Sequence, residues 1–215
     1  MEPDVVEIRV LGCLIEKQRT TPDAYPLSLN ALRLACNQAT NRDPVVDYDE
    51  HVIRDALQHL YRRGWTRLAS GHGSRAAKYR QLLDEALGLA RDEIALLGVL
   101  MLRGPQTPGE LKQRSERLHP FADLAAVQET LARLIARNLA AQLPRRPGQK
   151  EERYVQLLGG AETDAATPAP ASAAPSAPAP VVAPSPPPDD RLTRLEREVA
   201  ELRAEVGALR DQLGA

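Results

Sequence analysis

Apolar side chains recur at helical spacing from the start of the chain. Between Asp4 and Gln18, Val6, Val10, Cys13 and Leu14 share one side and Ile8, Leu11 and Ile15 lie beside them, which predicts a helix with a wide buried face. Leu29, Leu32 and Cys36 form the stripe of a second helix, expected over residues 27–38. A third should run to Arg63 with Ile53, Ala56, Leu57 and Leu60 inward. Asp47 and Glu50 suggest a capping box at its start, and Gly64 a left-handed end. The pattern then changes. Residues 65–69 and 76–82 read as two short strands around a glycine-rich hairpin loop.

The second half repeats that order. Helices are expected over residues 91–103, from Thr107 to about Arg117, and over 122–137. The second of these opens with a Thr107-Pro108-Gly109-Glu110 capping box. Strands follow at 139–143 and 153–157, with the loop between them starting at Pro144. The repetition is also literal. Glu7-Ile8-Arg9-Val10-Leu11-Gly12-Cys13-Leu14 returns 86 residues later as Glu93-Ile94-Ala95-Leu96-Leu97-Gly98-Val99-Leu100, and the same offset carries Thr21-Pro22 onto Thr107-Pro108. Leu57, Leu60, Arg63 and Trp65 then match Leu131, Leu134, Arg137 and Leu139 at an offset of 74, and Tyr79 matches Tyr154 at 75. An ordered series of matches with a drifting offset means duplication of a folding unit. Three helices and a hairpin is the order of a winged helix. The expected fold is therefore mainly α with small β-hairpins (α+β): winged-helix domains at 1–86 and 87–158.

Beyond them the chain changes character. Residues 159–190 are mostly Ala, Pro and Ser, with nine prolines and no periodicity, and read as a disordered tether. Leu192, Leu195, Val199, Leu202, Val206, Leu209 and Leu213 then alternate spacings of three and four, the seam of a coiled coil over residues 191–215. In a parallel pair, Arg191 faces Glu196, Glu198 faces Arg203, and Glu205 faces Arg210, all opposite in sign. A homodimer is expected.

Charge narrows the partners. Residues 1–158 hold 23 Lys and Arg against 20 Asp and Glu, so no strong single-sign field draws nucleic acid or membrane in bulk. Cys13 and Cys36 sit in apolar helical patterns and suit a reducing compartment, with a disulfide between them the lesser alternative. The N-terminus shows no signal-peptide pattern, and the longest apolar run, Ile94 to Leu102, is far shorter than a membrane span. A cytoplasmic protein is expected.

No catalytic constellation emerges. His51, His59, His72 and His119 are scattered, none at metal spacing, and no phosphate loop or nucleophile elbow is present. Neither an enzyme nor a cofactor is expected. The nucleic-acid reading rests on the third helices and the wings. In the first copy the candidates are His51, Arg54, Gln58 and Arg62, with Arg75 and Lys78 at the wing. In the second they are Arg133 on the helix and Arg145, Arg146, Lys150 and Arg153 at the wing. Asp47, Asp49, Glu50 and Asp55 dilute the first face, and Glu151 and Glu152 the second wing. Asn37, Gln38, Asn41 and Arg42 form a separate polar loop suited to recognition, with local backbone capping as its plainer reading.

Gly12–Gln18, Thr20–Asn30, Ala35–Gln38 and Thr40–Val45 together resemble the YceH family of bacterial proteins, and Leu102–Leu111 is similar to its second block. The resemblance covers residues 4 to about 158. It implies tandem winged-helix domains and no established activity, so it carries over no functional residue. The proline tether is longer than the family leads one to expect. The expected function is a dimeric, DNA-associated protein of regulatory type that binds double-stranded DNA. The alternative is a scaffold whose winged helices hold other proteins.

Overall fold

The structure, a computed structural model, describes residues 2–69, 77–145 and 151–159, all within one compact unit. The tether beyond Gly159, the heptad residues Leu192, Leu195, Val199, Leu202, Val206, Leu209 and Leu213, and the wing residues Arg75, Arg146 and Lys150 lie outside the described residues. The fold is α+β. Helix α1 (Val5–Thr20) begins with a capping box: the Asp4 carboxylate accepts from Glu7 N at 2.8 Å, and Glu7 accepts from Asp4 N at 3.2 Å. A 3-10 turn (Pro22–Ala24), strand β1 (Leu27–Ser28) and helix α2 (Leu29–Cys36) follow. Then come α3 (Glu50–Arg62), β2 (Thr66–Leu68) and β3 (Lys78–Gln81). The three strands form an antiparallel sheet in the order β1-β3-β2.

After a short connecting helix α4 (Leu83–Leu87), the order recurs as α5 (Arg91–Arg103), α6 (Pro108–Ser115), α7 (Leu124–Ala136), β4 (Ala140–Leu143) and β5 (Arg153–Gln156). The equivalence is detailed. Leu27 pairs with Tyr79, and Gln106 makes the matching bridge to Tyr154. Trp65 N bonds Leu60 O and Gly64 N bonds Tyr61 O around the positive φ of Gly64. Leu139 N, Leu134 O, Asn138 N and Ile135 O repeat that helix end, with Asn138 in the left-handed conformation. Both helix ends satisfy their last carbonyls in one way, by Gly in one copy and Asn in the other.

Several sequence expectations are corrected. Leu27 and Ser28 pair with β3, so α2 starts only at Leu29, with Ser28 as its cap. Ser28 is thus the counterpart of Thr107, whose side chain caps α6. The Thr21-Pro22 echo marks a turn with no equivalent in the second half. Asp49, not Asp47, caps α3, accepting from Val52 N at 2.9 Å. Asp47 accepts from the Asn37 amide instead. Helix α4 lies between the expected strand and the next expected helix, in a run too short to show an apolar period.

The core is centred on α1 and α5. Every residue from Glu7 to Ile15 and from Glu93 to Leu102 is buried, so these two helices are covered on all sides. Each packs against the other, and their apolar side chains join those of α2, α3, α6 and α7 in one cluster. The repeated glycines lie at the crossing. A β-carbon on Gly12 would meet Leu102 and Met101, and one on Gly98 would meet Ile15. These contacts run in opposite senses along the two helices. Cys13 and Cys36 are free and buried in the same core.

The repeated Glu is structural too. Buried Glu7 accepts from the start of its own helix and reaches the end of α3, at His59 Nδ1 (2.9 Å) and Arg63 Nε (3.8 Å). Glu93 does the same, accepting from Ala90 N and pairing with Arg133 Nε (3.6 Å) and Arg137 (3.2 Å) on and after α7. Burying a carboxylate is tolerable only with such partners.

Candidate functional site

Three surfaces hold the candidate residues. The first is the outer face of α3, where His51, Arg54, Gln58 and Arg62 are all exposed. The inward stripe Ile53, Ala56, Leu57 and Leu60 is buried, so the helix period itself presents this face. Its charge is largely matched locally. Arg54 pairs with Glu50 at 2.8 Å and His51 with Asp55 at 3.3 Å, each one turn apart. Exposed pairs of this kind are weak and open readily to a better partner. Lys78 sits half-buried in β3, opposite Ser28.

The second surface is the equivalent face of α7 with the second hairpin, and it is chemically different. Its outer face presents Leu124, Gln128, Ala132 and Ile135, three of them apolar. Arg133 is held sideways against the body by Asp92, Glu93 and Glu129. Burial raises the Asp92 carboxyl. The Thr130 hydroxyl and the Arg133 charge outweigh that and hold it below the usual carboxylate range. Arg153 likewise turns inward, donating to Pro105 O at 2.8 Å and pairing with Glu110 at 3.0 Å. Arg145 is exposed and pairs with Glu152 at 3.1 Å. Among the described residues, Arg133, Arg145 and Arg153 therefore do not form one open patch.

In the polar loop after α2, Arg42 is an internal brace. The Arg42 side chain is fully buried, donating to Ala35 O, Asn41 O, Gln38 Oε1 and both oxygens of Glu16, at 2.6–3.2 Å. Burial alone would raise the Glu16 carboxyl. Arg42 and then Lys17 overcome it, holding the group below its ordinary value. Asn37 donates to Tyr48 O and accepts from Tyr48 N, at 2.8 and 2.9 Å. The loop also reaches the second half: Asp43 N donates to Leu102 O at 2.9 Å, and Arg103 donates to the Asn41 side chain.

Asn41 and Arg103 also line a cleft of about 640 Å³ between the two halves. Its walls are the last turn of α1, the 38–41 loop, the end of α5, and α6 with the turn after it. Lys17, Arg103, Arg114 and Arg117 face it, against a single lining carboxylate, Glu16. Burial first, and then the like charges of Arg114 and Arg42, press the Arg103 guanidinium below its ordinary value. Sequence spacing could not flag this cluster, because its cations come from α1, α5, α6 and the α6–α7 turn. Among the described residues, Asp4, Glu7 and His59 are the one group of three whose potential metal-ligating atoms all lie within 4.8 Å of one another. Glu7 there is already engaged by the Asp4 N–H, His59 and Arg63, which makes the group an ion-pair network.

Among the described residues no helix is long and apolar enough to cross a membrane. The family model described as "Protein of unknown function, DUF480" matches residues 4–149. A UPF0502 protein of Pelobacter propionicus is 50% identical over 207 residues, covering 95% of this chain and 91% of that protein. One from Xanthomonas campestris pv. campestris is 48% identical over 213 residues, covering 99% and 94%. One from a Shewanella species is 42% identical over 217 residues, covering 97% and 98%.

Proposed function

The chain belongs to the DUF480 family, the YceH-like family that its sequence resembles, and we propose that it is a non-enzymatic, DNA-associated protein of regulatory type. In this reading its halves are tandem winged-helix domains, each meeting DNA through its third helix and its hairpin. The heptad segment at residues 191–215 pairs two chains, and the proline-rich stretch tethers that pair to the body.

One observation carries the reading: α3 buries its apolar stripe and turns Arg54, Gln58 and Arg62 outward together. Gln and Arg are the side chains that pair with adenine and guanine edges, and Arg also holds phosphate. The test is fluorescence anisotropy on labelled duplexes over a salt series, from about 50 to 200 mM. Binding should weaken steeply with salt. Replacing Arg54, Gln58 and Arg62 by Ala should weaken it further and flatten the salt slope. Absence of binding to every duplex at low salt defeats the reading. Dimerisation is tested separately, by whether deleting residues 190–215 halves the mass in light scattering.

A second reading, a protein-binding scaffold, is favoured by the outer face of α7. Leu124 and Ile135 are exposed there with Ala132 between them, a surface better suited to an apolar partner than to phosphate.

A further inference from the structure

We propose that the cleft between the two halves binds a small ligand bearing two or more phosphate groups. The volume, about 640 Å³, lies within the range of small-molecule sites, commonly some 300–1,000 Å³. Charge decides the class of ligand. Both Glu16 oxygens are taken by Arg42, at 2.6 and 3.2 Å, so the lining carboxylate is already neutralised from behind. Lys17, which also touches Glu16 at 3.3 Å, adds its charge on the same wall. Arg114 pairs with Glu110 at 3.4 Å, but that carboxylate is shared with Arg153. Among the described residues, Arg103 donates only to the neutral Asn41 side chain and Arg117 has no acidic partner. The C-terminal ends of α1, α5 and α6 offset roughly one and a half charges between them, at about half a charge each. An excess of about two positive charges remains on the cleft wall.

The cations are guanidinium-rich, and guanidinium grips phosphate through two parallel hydrogen bonds. Thr20, Thr40 and Gln113 supply neutral partners, while Val99, Leu102 and Leu118 supply an apolar floor for the rest of the ligand. Because the site joins α1 and the loop after α2 to α5 and α6, a bound polyanion would tie the two halves together. The inference does not depend on the third helices meeting DNA.

Isothermal titration calorimetry of the full chain with inorganic pyrophosphate at constant ionic strength tests it, with no nucleic acid present, so failure leaves the DNA reading untouched. Saturable binding is expected, at least tenfold tighter than for sulfate. R117E should weaken it at least tenfold without moving the melting temperature, since Arg117 is exposed and has no acidic partner among the described residues. R103A should also weaken it at least tenfold, and R67E, on β2 away from the cleft, should not. Adenosine diphosphate in a parallel arm identifies the source: tighter binding than pyrophosphate assigns a nucleotide, equal binding a bare phosphate compound. No pyrophosphate binding, equal binding of sulfate, or an R117E protein that binds as well as the parent overturns the proposal.

Discussion

Gly12 of α1 lies so close to Leu102 of α5 that a β-carbon on the glycine would stand 2.9 Å from both the Cγ and Cδ2 of the leucine. Met101 Cβ would be 3.0 Å away, and a β-carbon cannot swing aside. Two effects compete in Gly12→Ala. Alanine in a helix interior gains about 1 kcal/mol over glycine. Overpacking a fully buried helix crossing costs about 1–3 kcal/mol. Packing should win, and Gly12→Ala should lower stability in urea melts. Gly98→Ala should lose less, because its one tight contact is a terminal methyl, Ile15 Cγ2, at 3.0 Å. A Gly12→Ala protein as stable as the parent would show that the crossing can open without penalty.

Arg42 and Glu16 are the second dependency. Arg42→Met leaves a largely buried carboxylate with Lys17 as its remaining charged partner and should cost about 3 kcal/mol, the low end for breaking a buried pair. The double variant Arg42→Met/Glu16→Leu should recover most of that loss, because no uncompensated charge is left. If the double variant were as damaged as the sum of the two singles, the pair would not be coupled.

Acid sensitivity follows from the same groups. Glu16 and Asp92 are both held below their ordinary values in the folded protein. A depressed carboxyl contributes stability that is complete above its unfolded value, about 4, and lost as pH falls through the lower folded value. The urea midpoint should stay level from neutral pH to about 5 and fall below about 4. Glu16→Gln and Asp92→Asn should each flatten that fall, and an unchanged slope in both would remove these groups as its source.

Much of this was legible from periodicity. Helix α5 matches its expected bounds, and the Thr107–Glu110 box is present, because a long apolar run and an unambiguous capping pair left no competing register. The Glu7/Glu93 and Gly12/Gly98 echoes mark sites where the two copies solve the same problem, a capped buried carboxylate and a close helix crossing. The Thr-Pro echo misled because identical dipeptides serve a free turn in one half and a helix start in the other. The loop at Asn37–Arg42 read as a recognition surface because its residue types suit either role. Only tertiary placement, with Arg42 folded beneath α1, turns that residue inward and leaves Gln38 and Asn41 lining the cleft. The cleft was illegible for a related reason: its cations converge only after the two halves dock.

Tyr25 offers a local probe of the first sheet. Its buried hydroxyl accepts from Gln81 N at 2.7 Å, and burial pushes its ionisation up to about 12. Tyr25→Phe strands that N–H and should cost about 1–3 kcal/mol. A raised tyrosine contributes stability that is intact below its unfolded value, about 10, and lost as pH rises through about 12. Burial also raises Tyr48 and Tyr154, so ultraviolet titration of the native protein should show several late-ionising tyrosines, and the variant should lose the one that ionises at about 12. A variant with the parent's stability and titration curve would mean that the hydroxyl is solvated.

The two third helices should respond differently to loss of an arginine, and this separates binding residues from braces. Arg54 is exposed and pairs only with Glu50 one turn away, an interaction of about 0.3–0.5 kcal/mol. Arg54→Ala should leave the urea midpoint nearly unchanged while weakening duplex binding. Arg133 is engaged by Asp92, Glu93 and Glu129, and Glu93 is buried. Arg133→Ala removes one cation from a network that keeps that carboxylate satisfied, so stability should fall by about 1 kcal/mol or more, with duplex binding altered only as far as folding is. If Arg133→Ala proved as stable as the parent yet lost duplex binding, α7 would be a direct reading surface, and its apolar face would no longer favour the scaffold.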